Sequence, residues 1–351
     1  MNQYLSQKIR TTSFLLMVMV VFIHSYNIDI KQGGQILHFE KNYNWFIQNF
    51  ISNGLTRIAV PLFFLISGYL LVLDKKTSFS DFLIKIKKRA RTLLVPYLIW
   101  ALSGLLLYFV LQSIPQSQSF FTKKLIKDYT FLEWLNAIFK EPIPYQLWFL
   151  KDLIILVVLS PLLYLVADKL KMVFLLAVFC FWALNQDTIF LSSEGLLFFS
   201  TGIYISNKNP GLIGLRNNNT SLLMCLWILL LFAKTLVGYF EGSVILQMLL
   251  LKASILIGII AFWGLYDSVS GRKNFFSDTV IGLSFFLYLF HEPFLTIVNK
   301  FLFSKLPKLP EFYLLVYFLA PLITISVSLG IGIFLKTKIN FIYKILTGNR
   351  S

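Results

Sequence analysis

Residues 13–25 read Ser13-FLLMVMVVFI-His24-Ser25, a run of ten apolar side chains closed by an imidazole. Such a run fits only an environment that is apolar on every side, so the solvent around the chain is the first thing to settle. The composition settles it: 57% of the 351 residues are hydrophobic and 14% are charged, with a mean hydropathy of +0.73. A soluble domain has about a quarter of its residues charged, so the chain is read as an integral membrane protein. Lys8 and Arg10 ahead of the apolar run look like the start of a secretory signal. No small-x-small cleavage site follows His24, however, and many further apolar segments do, so the run is expected to be a retained span. Cys180 and Cys225 both lie in apolar stretches and give neither a disulfide framework nor a metal-ligand spacing.

Segments near the length that crosses about 30 Å of hydrocarbon fall at 11–30, 54–73, 93–113, 146–167, 172–187, 194–206, 220–239, 244–265, 279–299 and 312–335. They predict an all-α polytopic membrane protein of about ten transmembrane helices, the fifth and sixth being as short as re-entrant or tilted segments. With the N-terminus cytoplasmic, nineteen of the 32 Lys and Arg residues fall in inside segments and nine in outside segments. That asymmetry follows the positive-inside rule, and an even span count places both termini in the cytoplasm. The net charge of +16 is then mainly a topology signal, and no nucleic-acid partner is expected. No fixed-period repeat or Pro/Ser-rich linker divides the chain, so residues 1–351 are expected to form one integral-membrane domain of the cell (inner) membrane. Two outer loops, 31–53 and 114–145, carry Tyr43, Trp45 and Phe46, then Phe120, Phe121, Tyr129, Phe131 and Trp134. These aromatics suit the belt at the membrane surface; a platform for stacking carbohydrate is the alternative.

Ionisable groups inside spans cost about 2.5–3.5 kcal/mol each on insertion scales, so each asks for a function and a partner. They are His24, Arg57, Lys151, Asp152, Lys234, Lys252, His291 and Glu292. On the topology above, His24, Arg57, the Lys151–Asp152 pair and the His291–Glu292 pair fall in a similar outer layer on four different spans. A buried imidazole can be merely a hydrogen-bonded packing residue, and Lys151 and Asp152 near a span end can snorkel. Arg57 is harder to explain that way, because a guanidinium never sheds its charge and needs an acceptor.

At this point the sequence resembles the membrane-bound acyltransferase-3 family, which moves acyl groups from acyl-CoA to sugars of polysaccharides, glycolipids and related acceptors. The resemblance is carried by His24; by Arg57-IAVPLFFLISGYLL, with Phe63, Phe64, Ser67, Gly68 and Tyr69 as its F-F-x-x-S-G-[YF] core; by Lys87-KRARTLLVPYLIW; by Leu147-WFLKDL, which holds Trp148; and by Ser284-FFLYLFHEPF with His291. Their order and spacing make the match. Family members commonly carry an arginine eleven residues before the histidine, a spacing that returns to within about 20° of the same helix face. That position is Ser13 here, and Arg10 lies one turn lower, within about 40° of the face and about 21 Å below His24.

The resemblance implies that acyl-CoA, most often acetyl-CoA, is the donor and that no cofactor is permanently bound. A hydroxyl attacking a thioester needs a base and donors for the oxyanion. His24 suits the first task because imidazole titrates near neutrality, and Arg57 suits the second or binds a carboxylate. Glu292 or Asp152 would orient the imidazole. Arg10, Ser13, Ser67, Trp148, Lys151, Asp152 and His291 are expected to bind substrate, and Arg10 with Lys87, Lys88, Arg89 and Arg91 to hold the CoA phosphates. Retention of that basic cluster by the positive-inside rule and anionic lipid explains its charge equally well. The acceptor would be a glycan or glycolipid beside the lipid bilayer. Succinyl transfer, or a transporter or flippase of a lipid-linked sugar, are the alternatives; transporters often show paired repeats, which this sequence lacks.

Overall fold

The computed structural model of the chain describes all residues except 29, 33–34, 38–40, 74–77, 116–120, 122–123, 189, 270–275, 308 and 350–351. Phe120 and seven of the basic residues counted above, Lys75, Lys76, Lys123, Arg272, Lys273, Lys308 and Arg350, lie outside the described residues. The helices are α1 (Gln3–His24), α2 (Tyr43–Ile51), α3 (Ala59–Val72), α4 (Phe79–Ser113), α5 (Phe131–Leu135), α6 (Leu147–Ala183), α7 (Ser193–Lys208), α8 (Thr220–Tyr239), α9 (Val244–Val269), α10 (Asp278–Ile281), α11 (Ser284–Lys305), α12 (Pro310–Lys338) and α13 (Asn340–Leu346). Among the described residues the all-helical expectation has one small exception, an antiparallel hairpin of β1 (Ile30–Gln32) and β2 (Gln35–Leu37) in the loop between α1 and α2. Among the described residues, seven stretches are long and apolar enough to cross a membrane: α1, Tyr43–Val72, α4, α6, α8, α9 and α12.

Each expected span coincides with helix, but the ends move for identifiable reasons. The first span was expected over 11–30, whereas α1 starts at Gln3 and stops at His24. Asn2 caps its start by accepting the Leu5 N–H at 2.8 Å. Lys8 is held on Asp267 at 2.7 Å with both side chains buried, and Tyr4 donates to the same carboxylate. Past His24 the chain is pulled out of the helix, because buried Asn27 binds the Gln48 side chain and the Tyr313 carbonyl. His24 is therefore the last helical residue and not a mid-span one. The third span begins fourteen residues early, at Phe79, where Ser78 and Asp81 form a capping box.

The short fifth and sixth segments sort out from their contacts. Inside α6 the backbone breaks at Lys171, with φ 49° and ψ −125°, which separates the fourth segment from the fifth. Ser192 N–H donates to Asp152 at 3.0 Å near one end of α6 and α7, while Lys208 meets Asp168 at 2.5 Å near the other. The first part of α6 and α7 therefore run in the same direction, and residues 172–192 make the return. Helix α7 in turn packs backbone to backbone on α3. A Cβ added at Gly68 would stand 2.1 Å from the Phe199 carbonyl oxygen, and one at Gly202 would stand 2.1 Å from that of Leu65. Small residues permit this close approach, which is how helices associate where lipid removes the hydrophobic drive. Gly202→Val is expected to lower folded yield sharply, since overpacking a fitted interface costs about 1–3 kcal/mol or more; fluorescence-detected size exclusion in mild detergent measures it, and an unchanged monodisperse peak would contradict this packing role.

Candidate active site

Helix α1 presents Arg10, Ser13, Met17, Val20 and His24 at alternating steps of three and four residues, which is one helical face. All five line a cavity of about 310 Å³. Its other walls are Phe63 and Ser67 of α3, Trp148 and Phe149 at the start of α6, and Ser284, Phe285 and Tyr288 of α11. Arg89 alone of the α4 basic cluster joins Arg10 at one end, while His24 and Gln146 stand at the other. The walls between are mostly apolar, so the space is a narrow tube joining a basic mouth to an imidazole.

The His24 end is built by a proline. Pro293 has no N–H, which leaves the Leu289 carbonyl without its helical donor, and the residue before a proline avoids helical angles. Glu292 accordingly sits at φ −114° and ψ 139° inside α11. Gln146 reaches across and donates its Nε2 to the Glu292 carbonyl at 2.9 Å and, more weakly, to that of Leu289 at 3.4 Å. Tyr288 returns a bond to the Gln146 carbonyl at 2.7 Å. These bonds satisfy backbone that lipid could not, and they fix α11 against α6 beside the cavity. The Gln146 Oε1 is left buried without a protein partner.

The rings of His24 and His291 stack with centroids 5.4 Å apart and planes at 26°. His291 is fully buried. Its Nδ1 lies 2.7 Å from the Tyr288 carbonyl oxygen; a carbonyl only accepts, so Nδ1 carries the proton and Nε2 a lone pair. That Nε2 has no protein partner. The edge of Tyr145 meets His24 at 4.8 Å and 79°, and its hydroxyl donates to Glu292 Oε1 at 3.1 Å, while Thr296 donates to Oε2 at 2.8 Å. Among the described residues no protein group hydrogen-bonds the His24 ring, and the residue lines the cavity.

The structure thus brings together Arg10, Ser13, His24, Ser67, Arg89 and Trp148 around one cavity, with His291 and Glu292 behind its end wall. Glu292 does not bond the His24 imidazole directly as a triad carboxylate would; both its oxygens are engaged by Tyr145 and Thr296. Asp152 is further away in role: its carboxylate is used at the N-terminal end of α7, on Ser192, where the helix dipole favours negative charge. Neither Asp152 nor Lys151 lines the cavity. Lys87, Lys88 and Arg91 point outward from the exposed start of α4. Arg57 donates to Asn53 Oδ1 at 2.6 Å and stands within electrostatic reach of His24, Glu194 and Lys234. Tyr145, Gln146 and Tyr288 were missed in the sequence, although the first two directly precede the Leu147-WFLKDL motif and the third lies within Ser284-FFLYLFHEPF. Removing the Tyr145 hydroxyl tests the link: Tyr145→Phe is expected to leave folding intact and to lower turnover about tenfold, because Glu292 loses a buried partner, and steady-state assays in nanodiscs would show it.

A family model described as "Acyltransferase domain" matches residues 14–333. The chain belongs to the acyltransferase-3 family. Among curated proteins this acyltransferase-3 chain is similar to "Succinoglycan biosynthesis protein ExoH" of Rhizobium meliloti (strain 1021), 29% identical over 365 aligned positions that cover all of this chain and 94% of the relative. No solved structure matches it. The acyltransferase-3 assignment and the apolar helices make it a multi-pass membrane acyltransferase.

Proposed function

We propose that this chain transfers an acyl group from cytoplasmic acyl-CoA to a hydroxyl of a cell-envelope glycan or glycolipid, with His24 as general base. The observation that carries the reading is the tube lined at one end by Arg10 and Arg89 and at the other by His24. The helical rise from Arg10 to His24, about 21 Å, is comparable with an extended pantetheine arm. The nucleotide phosphates rest at the basic mouth, where guanidinium forks suit them, and the thioester sits beneath His24. The acceptor hydroxyl gives its proton to a His24 nitrogen as its oxygen bonds the acyl carbon. The C–S bond then breaks, and the proton leaves with the CoA thiolate. Arg57, which stands outside the cavity lining but within electrostatic reach of His24, favours the developing oxyanion through its charge.

This reading takes the ten helical segments as ten crossings of the inner membrane, with both termini cytoplasmic. That arrangement puts the Arg10 mouth inside, where acyl-CoA is made, and the His24 end toward the outside. Acetyl is the donor group the family most often carries. Succinyl is the second reading, favoured by the cations Arg57, Lys234 and Lys252 in the outer layer and by a relative whose name places it in succinoglycan biosynthesis. The test is release of CoA thiol by purified protein in nanodiscs, given acetyl-CoA or succinyl-CoA with and without glycan from a strain deleted for this chain. Glycan-dependent release supports the enzyme and names the donor; glycan uptake into vesicles without thiol release would instead show a transporter.

A further inference from the structure

A second, larger cavity of about 650 Å³ lies against the opposite side of Tyr145 from the tube. Its volume falls within the roughly 300–1,000 Å³ of small-molecule sites. Tyr108, Phe121 and Tyr129 are its aromatic walls, and Gln112, Asn136 and Glu141 are polar ones. Tyr145 is 45% exposed, and its ring separates this space from His24. Adjacent residues therefore face the two cavities: Tyr145 lines the outer one and Gln146 the tube.

The described lining carries two lysines, Lys124 and Lys300, and two glutamates, Glu133 and Glu141, so its formal charges balance. Lys124 and Glu133 pair at 2.7 Å, and that lysine together with the Thr130 cap holds the Glu133 carboxyl down at about 2, so the pair stays ionised and mutually neutralised. Lys300 stands over the Phe121 ring at 5.8 Å. Among the described residues the side chains of Asn136 and Glu141 make no protein hydrogen bond, so their donors and acceptors are open to a ligand. Aromatic faces beside amide and carboxylate groups, in a lining whose described charges balance, match the alternating C–H and O–H surface of a sugar ring better than an anion or a lipid tail.

We infer that the outer cavity is the acceptor site, and that it takes an uncharged sugar residue whose reacting hydroxyl passes Tyr145 to reach His24. This rests on the acyltransferase reading above. It assigns the aromatics of the second outer loop: Tyr129 and Phe121 form walls for the sugar, whereas Phe131 is exposed.

The experiment uses the full chain in nanodiscs, with neutral and acidic oligosaccharide fractions prepared from the envelope glycan of the deletion strain. Asn136→Ala and Glu141→Ala remove side chains on which no fold contact depends. Each is expected to raise the KM for the neutral oligosaccharide about tenfold, the worth of one good hydrogen bond, while the KM for acyl-CoA stays unchanged. A binding readout that needs no turnover runs beside it. In a Cys180→Ser/Cys225→Ser background, Asn136→Cys is labelled with a charged methanethiosulfonate, and the neutral fraction is expected to slow labelling whereas acyl-CoA does not. Unchanged acceptor KM in both variants, or protection by the acidic fraction only, would overturn the inference. If the parent protein releases no thiol with any glycan, the enzyme reading fails on its own, and the labelling result still decides whether a neutral sugar occupies this cavity.

Discussion

A His24→Ala protein is expected to insert and fold like its parent and to lose glycan-dependent CoA thiol release by about 10²–10⁴-fold, the range that a positioned general base contributes. The reason is geometric. His24 is the last residue of α1, its ring is unbonded by protein among the described residues, and it borders the cavity. Its neighbour His291 does not take over, because that ring is fully buried and stands outside the cavity lining. His24→Gln keeps hydrogen-bonding capacity without basicity and is expected to be nearly as inactive. Normal thiol release from either variant, with unchanged size-exclusion behaviour, would remove His24 from the chemistry.

The second large effect is expected from filling the tube. Ser13 sits on the cavity face of α1 one turn above Arg10, and an indole there would occupy the path between the basic mouth and His24. Ser13→Trp should lower kcat/KM for acyl-CoA by at least about 100-fold, since small displacements of a reacting group already cost that much, while leaving glycan binding intact. Ser13→Arg places here the arginine that the family resemblance led one to expect and should retain activity with a lower KM for acyl-CoA, because a second guanidinium would join Arg10 at the anionic donor. Paired kinetics on the two variants distinguish a blocked passage from a merely sensitive helix. Equal, near-parental values for Ser13→Trp would show that the donor takes another route.

The candidate site was legible in the sequence to different depths. His24, Arg10 and Ser13 could be placed on one face because residues of one helix share a fixed rotation per step. Trp148 and Ser67 were reached through motif resemblance. Tyr145 and Gln146 were not, since nothing local marks a tyrosine and a glutamine as the groups that answer a proline on another helix some 140 residues later. Asp152 shows the reverse error: its sequence position suggested an imidazole partner, yet the nearest unsatisfied donors belong to the start of α7.

What the sequence determined by itself was the solvent, the helical class and the approximate place of every apolar segment, because bilayer thickness and backbone hydrogen bonding leave only helices of a set length for such composition. It also singled out the costly polar groups, among them His24, Arg57, His291 and Glu292, that ask for partners. Only the tertiary structure decided which of them meet: that α1 stops at His24, that α6 breaks at Lys171 and returns, that Glu292 is bound to Tyr145 and Thr296, and that of the five basic residues on α4 only Arg89 lines the cavity. The physical reason is that an apolar segment specifies its own helix through local geometry, whereas the direction of a side chain toward a distant partner is set by packing between segments, which no local pattern encodes.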